Sequence, residues 1–115
     1  MTDKIAVLCT CETEDEARRI AHALVQARLA ACVNIVAGAR SVYRWKDNVE
    51  EASEFLLIVK TSRALFGQVR AAIERLHSYE LPEAIALPIA DGSPRYLEWL
   101  AAGLKISDGD STAIR

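Results

Sequence analysis

The sequence predicts an α+β sandwich of order β-α-β-β-α-β, and three observations predict it. Short apolar runs of strand length alternate with stretches that repeat apolar residues every three or four positions. Two of the strand-like runs meet across Lys46-Asp47-Asn48, a turn signal with no helix between them. Capping residues, glycine and proline fall at the junctions.

The elements follow in order. Lys4 to Thr10 (K-I-A-V-L-C-T) reads as a strand buried on both faces. Thr13 with Glu16 three residues later forms a capping box. Glu14, Asp15 and Glu16 put negative charge in the first turn, where the helix dipole favours it. Ala17, Ile20, Ala21, Leu24, Val25 and Arg28 recur at helical spacing, so the helix is predicted from Glu14 to about Leu29. Cys32 to Trp45 is a second strand, and Gly38 inside it predicts a bulge or bend. Val49 to Lys60 returns as a third strand, completing a hairpin. Ser62 is a candidate cap for a second helix with the stripe Leu65, Val69, Ala72, Ile73 and Leu76. Pro82 forbids continuation of that helix. Ala84 to Ile89 is a fourth strand, and Ser93-Pro94 starts a short helix through Leu97, Leu100, Ala101 and Leu104. Right-handed crossovers then put both main helices on one face of an antiparallel sheet, the ferredoxin-like arrangement with a long hairpin and a short C-terminal helix.

Residues 1–115 fit a single domain, with a polar tail at 107–115 expected to be poorly ordered. A formal net charge of -2, with no basic run, argues against nucleic acid as a partner. No apolar stretch is long enough to cross a bilayer and the start lacks a signal-peptide pattern, so a cytoplasmic location is expected. Three cysteines are an odd number, and suit a reducing compartment better than a disulfide framework.

The hairpin is the informative oddity. Its fourteen-residue second strand spans roughly 45 Å at ~3.3 Å per residue. A domain of this size is only about 35 Å across. The overhang carries Val42, Tyr43 and Trp45, which are costly to leave in water. Pairing with another copy solves this; the alternative is a strand that bends at Gly38 back onto its own sheet.

Few residues suggest chemistry. Cys9-Thr10-Cys11 puts two sulfurs on one side of a strand end, where thiolates could hold a soft ion such as Cu(I). Buried cysteine is also simply a small apolar side chain, the reading favoured for Cys32. His77 sits at a helix C-terminus, where the dipole alone accounts for it, or it serves as a ligand or acid-base group. His22 lies on the solvent side of the first helix. Tyr43, Trp45, Tyr79, Glu80 and Glu83 form a polar-aromatic group that lines a cleft or anchors an interface. No nucleophile-base set, phosphate-cradling glycine loop or H-E-x-x-H is present, so no catalytic residue and no organic cofactor are expected. Acylphosphatases share the topology, and Arg40 and Asn34 could imitate their arginine and asparagine. The acidic segment after the first strand would, however, repel a phosphate.

Several longer motifs resemble one family in order. They are Ala27-Arg28-Leu29-Ala30-Ala31-Cys32-Val33-Asn34-Ile35, Ser41-Val42-Tyr43-Arg44-Trp45 with Glu50 and Glu51, and Leu56-Leu57-Ile58-Val59-Lys60-Thr61. His77-Ser78-Tyr79-Glu80-Leu81-Pro82-Glu83 is similar to a His-Pro-Tyr-x-x-Pro-Glu segment, and Tyr96-Leu97-Glu98-Trp99 to a C-terminal helix. The family is the CutA divalent-cation-tolerance proteins, and the similarity runs from Ile5 to about Leu104. It implies a ferredoxin-like subunit, a homotrimer, a response to metal ions, and copper or another divalent cation held by Cys9 and His77. It also implies a sensing role, because the family's trimer resembles nitrogen-regulatory signal-transduction proteins. Two departures stand out: Ser78 replaces the usual proline, and Leu76 stands where a copper-binding relative has a second histidine. Cys11 is the candidate substitute for that ligand.

Overall fold

The computed structural model describes residues 2–106. The predicted tail at 107–115 lies outside them. The elements are β1 (Lys4–Cys11), α1 (Glu14–Gln26), β2 (Cys32–Trp45), β3 (Asn48–Ser62), α2 (Phe66–Leu76), β4 (Ile85–Pro88) and α3 (Pro94–Ala102). A 3-10 turn over Arg63–Leu65 leads into α2. The sheet order is β2-β3-β1-β4 and every pairing is antiparallel, so the ferredoxin-like prediction holds.

Alternation along β1 and β3 explains the core. Ile5, Val7, Cys9 and Cys11 are opposite Thr61, Val59, Leu57 and Phe55, and this face carries the helices. Against it pack Ala17, Ile20 and Leu24 of α1 and Val69, Ala72 and Ile73 of α2. Burying each of the larger side chains, Ile20, Leu24, Val69 and Ile73, contributes about 1.5–3 kcal/mol. The other face, with Ala6, Leu8, Thr10, Leu56 and Ile58, is only half-buried. The expectation that β1 is buried on both faces is therefore corrected, because one subunit brings helices to one face alone. Cys32 also lies on this half-covered face rather than in the core.

The hairpin overhangs as its length predicts. The molecule measures 52 × 27 × 25 Å, so the long axis is about twice the others. Lys46 and Asp47 both have positive φ, 51° and 70°, and join Trp45 to Asn48 in a two-residue turn. The register shifts between Val36 and Ala39, where Gly38 adopts φ 86°. That is the predicted bulge, with glycine where a left-handed backbone is needed.

The helix ends and caps differ in part from expectation. The helix predicted to Leu29 ends at Gln26, because Arg28 takes φ 59°. The Leu29 amide then donates to the Leu24 carbonyl and the Arg28 amide to Val25, a Schellman closure with arginine in the usual glycine position. Ser62 is the last residue of β3 and its side chain caps no helix. Ser93 does occupy the N-cap of α3, with Pro94 first in the helix, but its side chain makes no capping bond. Only half the capping box forms: the Glu16 amide donates to Thr13 Oγ1, while the Glu16 carboxylate turns elsewhere.

Candidate metal centre and cleft

β4 is short and pairs only with Ile5 to Leu8. The edge of β1 beyond Leu8 is therefore left without a strand partner on that side. His77, the residue that ends α2, fills this place. Its backbone amide donates to the Ile73 carbonyl, and its ring points at β1 with Nε2 2.7 Å from the Thr10 carbonyl. The Tyr79 amide donates to His77 Nδ1 at 3.1 Å. Nε2 must then carry the ring proton, since Nδ1 is an acceptor. The imidazole is thus an internal connector, rather than a cation facing the α2 carbonyls.

Cys9 and Cys11 flank Thr10 on the helix side of β1, and both are fully buried. Their sulfurs and a His77 ring nitrogen lie within 4.8 Å of one another. Among the described residues, this is the one group of three such side chains that converges. The Cys9 thiol is held far above its ordinary range, first by its hydrogen bond with Cys11, then by burial and by the negative charge that Cys11 would carry. A pair of buried thiols with no cation beside them favours the protonated state, and a bound cation is what would reverse that preference. Two sulfurs and one imidazole nitrogen form a soft donor set, which fits copper or a similar ion. The fit requires His77 to give up one of its two hydrogen bonds.

Glu16, expected at the helix start as a capping-box partner and a dipole charge, is a buried carboxylate with further partners. It accepts the Ser78 amide at 2.7 Å and the Ser78 hydroxyl at 3.2 Å, and lies 3.9 Å from His77 Nδ1. Ser78 therefore supplies an N–H that a proline at this position could not, because proline has none. A signal for Glu16 was present, four residues before Ile20 in the buried stripe. Leu76 packs against the core and offers no ligand.

The other face of the same strand end holds a cleft of about 770 Å³. It gathers Tyr43, Trp45, Tyr79, Glu80 and Glu83, the five residues singled out from the sequence, together with Arg44. Glu54, which the sequence did not flag, completes it. Glu54 is 5% exposed and accepts hydrogen bonds from the hydroxyls of Ser41 and Tyr79. Burial and the Glu54 contact hold the Tyr79 hydroxyl above its usual range; burial and Glu54 raise the Glu83 carboxyl in the same way. Glu54 shares its face with Leu56 and Ile58, opposite Ala39 just past the bulge. His22 is exposed on α1, as expected. Asn34 and Arg40 are opposite Ile58 and Ser53, residues of opposite parity on β3, so they point to opposite faces and do not form an anion site.

Residues 5–103 match the family described as CutA1 divalent ion tolerance protein. The chain is 52% identical over 94 residues to the divalent-cation tolerance protein CutA of Thermus thermophilus, covering 82% of this chain and 91% of that one. It is 46% identical over 96 residues to the chloroplastic protein CutA of Arabidopsis thaliana, covering 84% of this chain and 53% of that one. The chain thus spans about half the length of the plant relative. The solved Cut A1 structure from Thermus thermophilus matches with a TM-score of 0.86 at 48% identity, over 89% of this chain and 99% of that one. CutA from Archaeoglobus fulgidus, described as periplasmic, matches with a TM-score of 0.86 at 36% identity, over 89% and 99%.

Proposed function

The chain belongs to the CutA1 divalent ion tolerance family, and on that premise we propose that it is a homotrimeric metal-response protein holding copper or a similar divalent metal at Cys9, Cys11 and His77. The convergence of those three buried donors carries the reading. When bound, the metal would be held by soft thiolates and one imidazole. This chain's own residues bury the site and orient the ring: Thr10 and Tyr79 each bond one imidazole nitrogen, one of which would be released to the metal, and Ser78 ties the loop to Glu16. The protein acts as a binding module and not as an enzyme. Cytoplasm is the proposed location, although relatives are described as chloroplastic and periplasmic. No helix among the described residues is long and apolar enough to cross a membrane.

Trimer formation is supported by the two open sheet edges. β2 and β4 are the edge strands and expose Val36, Val42, Ile85 and Leu87. Joining the β2 edge of one copy to the β4 edge of the next is a head-to-tail contact, which makes a closed trimer when the rotation between copies is a third of a turn. Sedimentation showing a stable monomer at micromolar concentration would overturn the assembly. For the metal, Cu(I) and Cu(II) are titrated into wild type, Cys9→Ser and His77→Ala. Unchanged affinity in both variants removes these residues from the site.

A second reading is a trimeric signalling or scaffold module that binds a small ligand or protein at the cleft. The aromatic and acidic lining of that cleft favours it. Stabilisation by a metabolite in metal-free buffer is its test.

A further inference from the structure

The cleft contains a buried carboxylate that makes no ion pair among the described residues, and Arg44, the cation that also lines the cleft, does not reach it. Glu54 is 5% exposed, and no lysine, arginine or histidine among the described residues comes within salt-bridge distance of it. Removing a carboxylate from water with no cation beside it is costly. Its two hydrogen bonds divide evenly: Ser41 donates to one carboxylate oxygen and Tyr79 to the other. Each oxygen therefore keeps one acceptor position, and the two together suit a donor with paired parallel N–H groups.

The surroundings select the kind of cation. Glu83 lines the same cleft and feels the Glu54 charge, but among the described residues the cleft carboxylates do not close into a group of three around one point. A small hard ion needs such a cage. A flat, delocalised cation does not, and it gains from aromatic neighbours. Tyr43, Trp45 and Tyr79 supply them, and the Trp45 ring already draws the Lys46 ammonium to 5.6 Å from its centroid. We propose that this cleft is a binding site for a small organic cation bearing a guanidinium group, gripped in fork geometry by Glu54 and flanked by Trp45 and the two tyrosines. The site lies on the opposite face of the sheet from the thiols and is independent of any metal there.

Butylguanidinium, butylammonium and the neutral isostere butylurea are titrated into the assembled, metal-free full chain, with binding read by calorimetry and by the Trp45 indole signal in NMR. The expected result is butylguanidinium binding tighter than butylurea by about tenfold or more, with butylammonium between them. Glu54→Gln and, separately, Glu83→Gln each weaken butylguanidinium by about tenfold, whereas His22→Ala leaves it unchanged. Equal affinity for the guanidinium and the urea overturns the proposal, and the comparison uses wild type alone, so a variant that fails to fold does not blunt it. No Trp45 response to any probe also overturns it. Saturation of the same signal by Mg2+ at lower concentration than butylguanidinium makes the cleft a metal site instead.

Discussion

Replacing His77 by alanine in metal-free protein separates the structural work of this residue from ligation. The ring is buried and makes two hydrogen bonds, to the Thr10 carbonyl at 2.7 Å and from the Tyr79 amide at 3.1 Å. Each contributes about 1 kcal/mol net. Truncating a buried ring leaves a cavity that costs about 2 kcal/mol more, at the low end of the range because the loop from Ser78 to Glu83 can partly collapse. His77→Ala should therefore lose about 4 kcal/mol with no metal present, a large share of the stability of a typical domain. The assay is urea denaturation of chelator-treated protein at one fixed protein concentration, since assembly makes stability concentration-dependent. His22→Ala, on the exposed side of α1, should stay within about 0.5 kcal/mol of wild type. A loss below about 1 kcal/mol for His77→Ala would refute the reasoning and return His77 to a purely ligating role.

Three further outcomes are expected. Copper affinity should rise with pH by up to about tenfold per unit for each thiol proton displaced, because the Cys9 thiol is held far above its ordinary range by Cys11 and by burial. Competition with a chelator at several pH values measures this, and a flat profile contradicts it. Glu83→Gln should raise stability slightly at neutral pH. An acid whose folded value is raised destabilises the fold while it is ionised, so the gain should disappear below its unfolded value of 4.5. Denaturation at neutral and acid pH reads the difference, and a variant less stable at neutral pH contradicts it. Gly38→Ala should cost about 1 kcal/mol although an added Cβ meets no atom within 4 Å, since φ 86° is the whole penalty. Thermal denaturation showing no loss would mean that the bulge does not depend on glycine.

Local pattern determined most of the architecture. The β-α-β-β-α-β order follows from apolar periodicity, the overhang from strand length and the bulge from Gly38, because each is set by residues within one or two turns of the chain. The proximity of Cys9 and Cys11 was legible for the same reason, being two positions apart on one strand face. Even locally, Arg28 escaped notice as a helix terminator, since its left-handed backbone is usually a glycine's place. What joins His77 to those thiols is not local: the ring meets the Thr10 carbonyl across 67 residues of sequence, where β4 stops short. Glu54 shows the limit most clearly. In Glu54-Phe55-Leu56-Leu57 it reads as an ordinary charge before an apolar run, and only the register past the bulge and the crossing of Tyr79 bury it. Hydrophobic pattern specifies which face of an element is covered. Which polar group is trapped beneath a distant loop depends on how the elements close together, and that was decided by tertiary structure alone.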